Sequence, residues 1–328
     1  IVVVLRIILL LICKKTIKNL FMNLPLHGII PPMVTPLLEN SEVDLVGLKR
    51  LIEHLLQGGV HGLFLLGTNG EGPSLSYPVK KQLIAEACKI VTKRVPILVN
   101  ITDSSIDSAL EIAEYAKTAG ADALVVAPPY YFPISEQEMI DYLEVLAPKL
   151  PLPFLVYDIP SCTKLHLSLK TIKKAKELGA IGFKDSSGDM SSFYQIIEEF
   201  KYSTNFSIIA GAELFLSDTM LYGGHGAVAG GANIFPRLFV ELYEASCAED
   251  FEKIKLLRFS ILKMHSTLYN LGSSSTKSIR AIKCALSIMG ICSDQMAQPL
   301  KKFGVKNREK IREYLEQFEL NGHYKSVI

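Results

Sequence analysis

The sequence predicts an α/β protein: a (β/α)8 TIM barrel with a C-terminal all-helical extension. Three observations lead there. Eight short apolar runs alternate with amphipathic stretches of helical period at nearly even spacing. The runs are apolar throughout rather than alternating, as strands of a parallel sheet covered on its outer face are. After the eighth unit the pattern is helical only. An open doubly wound sheet is the rival, but no GxGxxG follows the first run.

The first run is 28–36, whose prolines suit a barrel seam or an exit loop. In 44–57, Leu45, Leu48, Leu51, Ile52, Leu55 and Leu56 follow the i, i+3, i+4 rule, and Gly58-Gly59 ends the helix. Run two, 62–67, precedes a helix over 78–92, with Pro78 in its first turn. Run three, 96–101, precedes 105–118, closed by Gly120. Run four, 123–129, precedes 136–147, and run five, 153–160, precedes 168–178. Run six is 180–184, then a helix over 191–200. Run seven is 206–211, then 214–221, and run eight is 226–230, then 236–248. From Asp250 to about Phe318 come some three further helices, with Leu256, Leu257, Ile261, Leu262, Ile279, Ile282, Leu286 and Met289 as core candidates. The domain reading is residues 1–22 outside the fold, 23–248 as the barrel and 249–328 as a helical region packed on it.

A chain of 328 residues, 49% hydrophobic and 21% charged, is that of a globular enzyme with a sizeable core. A formal charge of +2 gives no field for nucleic acid. The six cysteines lie far apart without a CxxC, and the seven histidines lack metal-ligand spacing, so reduced thiols, a cytoplasmic location and no metal are expected. Ile1–Ile12 is apolar but for Arg6, and is too short to span a bilayer, which takes about 20 residues. It reads as an extension upstream of a start at Met22, with a membrane-associating segment as the other reading.

A (β/α)8 barrel carries its active site where the strands end. Gly67-Thr68-Asn69-Gly70-Glu71-Gly72, after run two, is either a plain glycine turn or a cradle of backbone N–H groups for an anion such as a carboxylate. It lacks the GxxxxGK[ST] of a phosphate loop. Tyr130-Tyr131 and Tyr157 end runs four and five, as packing residues or as phenols that relay protons. Lys184 ends run six. It is either a surface lysine after a strand or an amine at the rim of an apolar interior, where desolvation favours the neutral, nucleophilic form. Lysine, tyrosine and anion cradle together are the parts of a Schiff-base aldolase.

Three stretches make this sequence resemble the dihydrodipicolinate synthase and N-acetylneuraminate lyase family of class I pyruvate-dependent aldolases, from about Gly28 to Phe318. They are 67–71 (GTNGE), 157–160 (YDIP) and 182–189 (GFKDSSGD). The resemblance implies that Lys184 forms the imine with substrate, without a separate cofactor, and that Tyr157 relays protons. It implies that Thr68 joins the relay and binds the pyruvyl carboxylate. Tyr131 matches a tyrosine lent across a subunit interface, and Gly211 and Val228 match backbone positions near the pyruvyl group. A homo-oligomer, dimer or tetramer, is implied as well.

Two departures narrow the activity. Asn69 stands where the synthases carry a second threonine. Cys162, in Pro160-Ser161-Cys162-Thr163, stands where they carry the arginine that binds the carboxylate of aspartate semialdehyde, and a thiol cannot make that bidentate contact. The expectation is an aldolase or lyase interconverting a 2-oxo acid with pyruvate and an aldehyde. The alternatives are a 4-hydroxy-tetrahydrodipicolinate synthase and a non-catalytic barrel that binds 2-oxo acids.

Overall fold

The computed structural model describes residues 24–320. The reading of 1–22 as an extension lies outside the described residues. Eight parallel strands run in the order β1-β8-β7-β6-β5-β4-β3-β2: β1 Gly28–Ile29, β2 Leu63–Leu65, β3 Ile97–Asn100, β4 Ala123–Val126, β5 Phe154–Asp158, β6 Ala180–Asp185, β7 Ser207–Ala210 and β8 Gly226–Ala227. Each is followed by a helix: α1 Leu45–Gln57, α2 Tyr77–Val91, α3 Ile106–Ala119, α4 Glu136–Leu146, α5 Leu169–Glu177, α6 Met190–Phe200, α7 Leu216–Leu221 and α8 Pro236–Cys247. Three more follow: α9 Phe251–Ser266, α10 Lys277–Ile288 and α11 Val305–Leu320.

The helices start where the sequence supplies an acceptor for their free N–H groups. Asp44 accepts from Gly47 N at the start of α1, and Asp189 from Ser192 N at α6. Ser135 and Glu138 form a reciprocal capping box at α4. The first run is the element that differs most from its sequence reading. It pairs as a strand for two residues only, because Pro31 and Pro32 have no N–H to continue the ladder. The seam closes there nonetheless. Phe64 N donates to Pro31 O (3.0 Å) and Met33 N to Phe64 O (2.9 Å), which joins the β1 segment to β2 as β1 itself joins β8.

Strand alternation splits the core in two. Ile30, Phe64, Leu98, Val125, Leu155, Ile209 and Val228 fill the barrel interior, while Leu65, Val99, Leu124, Val156, Phe183 and Ile208 face the helices. The barrel interior is therefore filled by side chains rather than open as a pore, and polar residues collect at the C-terminal ends of its strands. Among the described residues no helix is long and apolar enough to cross a membrane.

Candidate active site

Tyr157 and Lys184 are directly paired on neighbouring strands. β6 carries one residue more than β5 needs: the register steps from Phe154 opposite Ala180 to Leu155 opposite Gly182. An extra residue changes the phase of everything after it. Beyond it Gly182 and Lys184 share the inner face with Leu155 and Tyr157, while Phe183 turns out to the helices. Gly182 is required at the step, since a Cβ there would lie 2.8 Å from Ser207 O.

The Lys184 amine lies 3.5 Å from the centroid of the Tyr157 ring and 5.0 Å from that of Phe64. Lys184 is only 5% exposed. Burial drives its pKa down to about 7, against the opposing pull of Asp185 and Cys162. The ring faces favour the ammonium form, but desolvation outweighs them. Near neutral pH a large fraction of the amine is thus unprotonated and nucleophilic. Burial raises the Tyr157 phenol to about 12, while hydrogen bonds from Ser186 and Thr68 act the other way. It holds its proton at neutral pH and can hand it to an oxygen bound above.

Thr68 and Asn69 lie on a tightly folded loop. Glu71 adopts left-handed backbone, φ 55°, and Gly72 is obligatory because a Cβ there would fall 2.0 Å from Leu66 O. Asn100 Nδ2 donates to Leu66 O (3.1 Å) and Thr35 Oγ1 to Gly70 O (2.6 Å), fixing the loop at both ends.

The structure brings Thr68, Asn69, Tyr157, Lys184, Gly211 and Val228 together around one cavity of about 280 Å³. A second cavity of about 380 Å³ adjoins it, sharing Thr68, Tyr157 and Ile159 and lined also by Tyr130 and Cys162. Cys162 sits on a single helical turn, Pro160–Thr163, that follows β5. Among the described residues, no arginine lines either cavity. Tyr131 is not brought in: its side chain is 70% exposed on the loop after β4, edge-on to Phe132 with ring centroids 4.9 Å apart.

Several site residues escaped the sequence reading. Ser186, two after the lysine, lies within the 182–189 stretch, where nothing local assigns it a role. Glu213, two beyond Gly211, follows the end of β7 as Lys184 stands near the end of β6. It is buried, accepts from Gly231 N (2.7 Å) and pairs with His265 Nε2 (2.8 Å). His265, Tyr269, Ser278 and Ile282 line the Lys184 cavity from α9, α10 and the segment between them, and no strand-end rule points to them. Tyr269 is held protonated by burial and by the nearby Glu213 carboxylate.

Behind the pair, on the outer face, lies a second polar layer. Asp158 and Asp185 are also register partners, each one residue past Tyr157 and Lys184. Asp158 contacts His166 Nδ1 at 2.5 Å, and burial pushes its carboxyl up to about 6. Among the described residues no group of three or more His, Cys, Asp or Glu side chains gathers as metal ligands.

The profile of the dihydrodipicolinate synthetase family matches residues 25–318. The chain belongs to that family. The resemblance carried by the three motifs therefore extends over nearly the whole chain, and with it the expected enzyme class, a carbon–carbon lyase of the class I aldolase type. Among similar structures is a dihydrodipicolinate synthase from Bacteroides thetaiotaomicron, 44% identical with a TM-score of 0.87, covering 90% of this chain and 100% of that one. Another is the Escherichia coli K12 prophage protein YagE, of the same family and solved with pyruvate, at 29% identity and TM-score 0.84, covering 90% and 99%. A 4-hydroxy-tetrahydrodipicolinate synthase from Methanoculleus marisnigri is 30% identical over 292 residues, 88% of this chain and 98% of the relative. The two solved structures share this chain's fold over nine-tenths of its length.

Proposed function

We propose that this family member is a pyruvate-dependent aldolase that works through an imine on Lys184. The observation that carries the reading is the buried Lys184 amine, poised near neutrality over the Tyr157 ring. The neutral amine attacks the keto carbon of a 2-oxo acid. Tyr157 gives its proton to the carbinolamine hydroxyl, which leaves as water, and the iminium then acts as an electron sink. The Tyr157 phenolate then takes a proton from the adjacent carbon, which restores the phenol and yields an enamine. The enamine adds to an aldehyde while Tyr157 protonates the new alkoxide, and the reverse sequence cleaves the adduct. Thr68 closes the relay to Tyr157, and the cradle N–H groups with the Thr68 hydroxyl hold the carboxylate. Asn69, Gly211 and Val228 complete the wall around the pyruvyl group. Tyr131, exposed within one chain, is suited to reach the site of a second subunit in a homodimer or homotetramer. A cytoplasmic location belongs to the same reading.

Among the described residues, the aldehyde half of the site has no arginine to pair with a carboxylated aldehyde. Around Cys162 the walls are apolar groups, neutral side chains such as Ser74, Asn100, Thr102, Tyr130 and Thr276, and the Glu71 carboxylate, which suits an uncharged aldehyde better than an anionic one. The names of the relatives favour a second reading, 4-hydroxy-tetrahydrodipicolinate synthase, in which aspartate semialdehyde is the acceptor. Borohydride reduction in the presence of pyruvate, followed by peptide mapping, tests the chemistry. An adduct on Lys184 is expected, and its absence overturns both readings. With the adduct in hand, fast turnover of aspartate semialdehyde selects the synthase.

A further inference from the structure

We propose that Glu71 and Lys283 are positioning residues: their buried ion pair holds the Thr68 hydroxyl against Tyr157, so the C-terminal helices act on the reaction. The inference rests on Thr68 and Tyr157 forming the relay described above.

Glu71 and Lys283 lie 212 residues apart, and both side chains are 0% exposed. Glu71 directly follows Thr68-Asn69-Gly70, and Lys283 belongs to α10. The pair is not isolated. The second Glu71 oxygen accepts from Ala297 N at 2.8 Å, and the Lys283 ammonium also donates to Gln295 O. Three of the loop's backbone positions are thereby tied down from different directions: Leu66 from β3, Gly70 from Thr35, and Glu71 from α10 and the segment after it. Thr68 stands between them. Glu71 keeps a left-handed backbone that a non-glycine residue adopts only when surrounding contacts impose it.

A buried ion pair is a poor device for stability, because desolvation of both charges offsets most of their attraction. Its use is in geometry. An apolar pair could fill the same space without fixing the loop's depth or rotation. The same helix that holds Glu71 also presents Ser278 and Ile282 to the Lys184 cavity and Ile279 to the adjoining one. Loop and substrate wall are therefore referenced to a single element, and a shift of α10 moves both together.

A double-mutant cycle separates positioning from scaffolding. The paired variant Glu71→Gln/Lys283→Met removes the bridge without leaving a charge buried. It is expected still to trap pyruvate on Lys184, while kcat falls roughly 10- to 100-fold. Adding Thr68→Val to it is expected to cost less than about twofold, against roughly tenfold or more in the parent. If the two losses multiply, or the paired variant keeps full kcat, the inference is overturned. Should that pair not fold, Glu71→Gln alone, which keeps an acceptor for Ala297 N, enters the same cycle with the same two outcomes. A Thr68→Val change without effect in the parent overturns the relay itself and this inference with it.

Discussion

The Lys184 amine rests 3.5 Å above the centre of the Tyr157 ring, and the two residues are register partners on adjacent strands. Backbone pairing rather than a flexible loop thus sets the distance between nucleophile and proton donor, which keeps the pair pre-organised. Burial of the amine at this position, outweighing the pull of the ring face toward the ammonium, brings it into its nucleophilic form.

That desolvation fixes a pH dependence. Only the neutral amine attacks, so imine trapping with pyruvate should increase with pH and level off above about 7. The single-turnover trapping rate between about pH 5 and 9 is the measurement. A rate still rising tenfold per pH unit at about pH 9, with no plateau, would show that burial does not control this group.

Tyr157→Phe keeps the ring beneath Lys184 and removes the proton. Turnover should fall by roughly 10²- to 10⁴-fold, with the melting temperature nearly unchanged. Near-parental kcat would remove the phenol from the mechanism.

Asp158 predicts a stability effect of unusual sign. Its folded pKa, about 6, lies above the ordinary carboxyl value of 3.8. The folded chain therefore binds this proton more tightly than the unfolded chain does. That contribution is present at low pH and is lost as pH rises through 6. Asp158→Asn should abolish this loss and gain stability relative to the parent as pH rises from about 4 to 7. Denaturant melts at about pH 4 and 7 decide it, and equal parental and variant slopes would contradict the assignment.

Cys162 tests the aldehyde half. Cys162→Arg should raise kcat/KM for aspartate semialdehyde about tenfold, the worth of one charge-assisted hydrogen bond of ~1.5 kcal/mol. Comparing it with an uncharged aldehyde in the same assay isolates the effect, and an equal change for both would show that the position is not selective.

Much of the site was legible because a (β/α)8 barrel sorts chemistry by sequence position. Thr68, Tyr157, Lys184, Gly211 and Val228 each lie at or just after the end of a strand. Glu213 obeys the same rule, but no motif in the sequence marks it. His265, Tyr269 and Ser278 obey no such rule. They reach the cavity only because α9 and α10 fold back over the barrel mouth, a matter of long-range packing that leaves no local periodicity.

By itself the sequence determined the eight strand–helix units and the residues at their ends, since burial on two faces and helical period are local properties of composition. Tertiary structure alone decided which way those ends face. The extra residue in β6 sets the phase that turns Lys184 inward onto Tyr157, and strand pairing, not the apolar run, determines that phase. It alone decided, too, that Glu71 and Lys283 meet, because only the closed fold removes both charges from water and leaves each the other as partner.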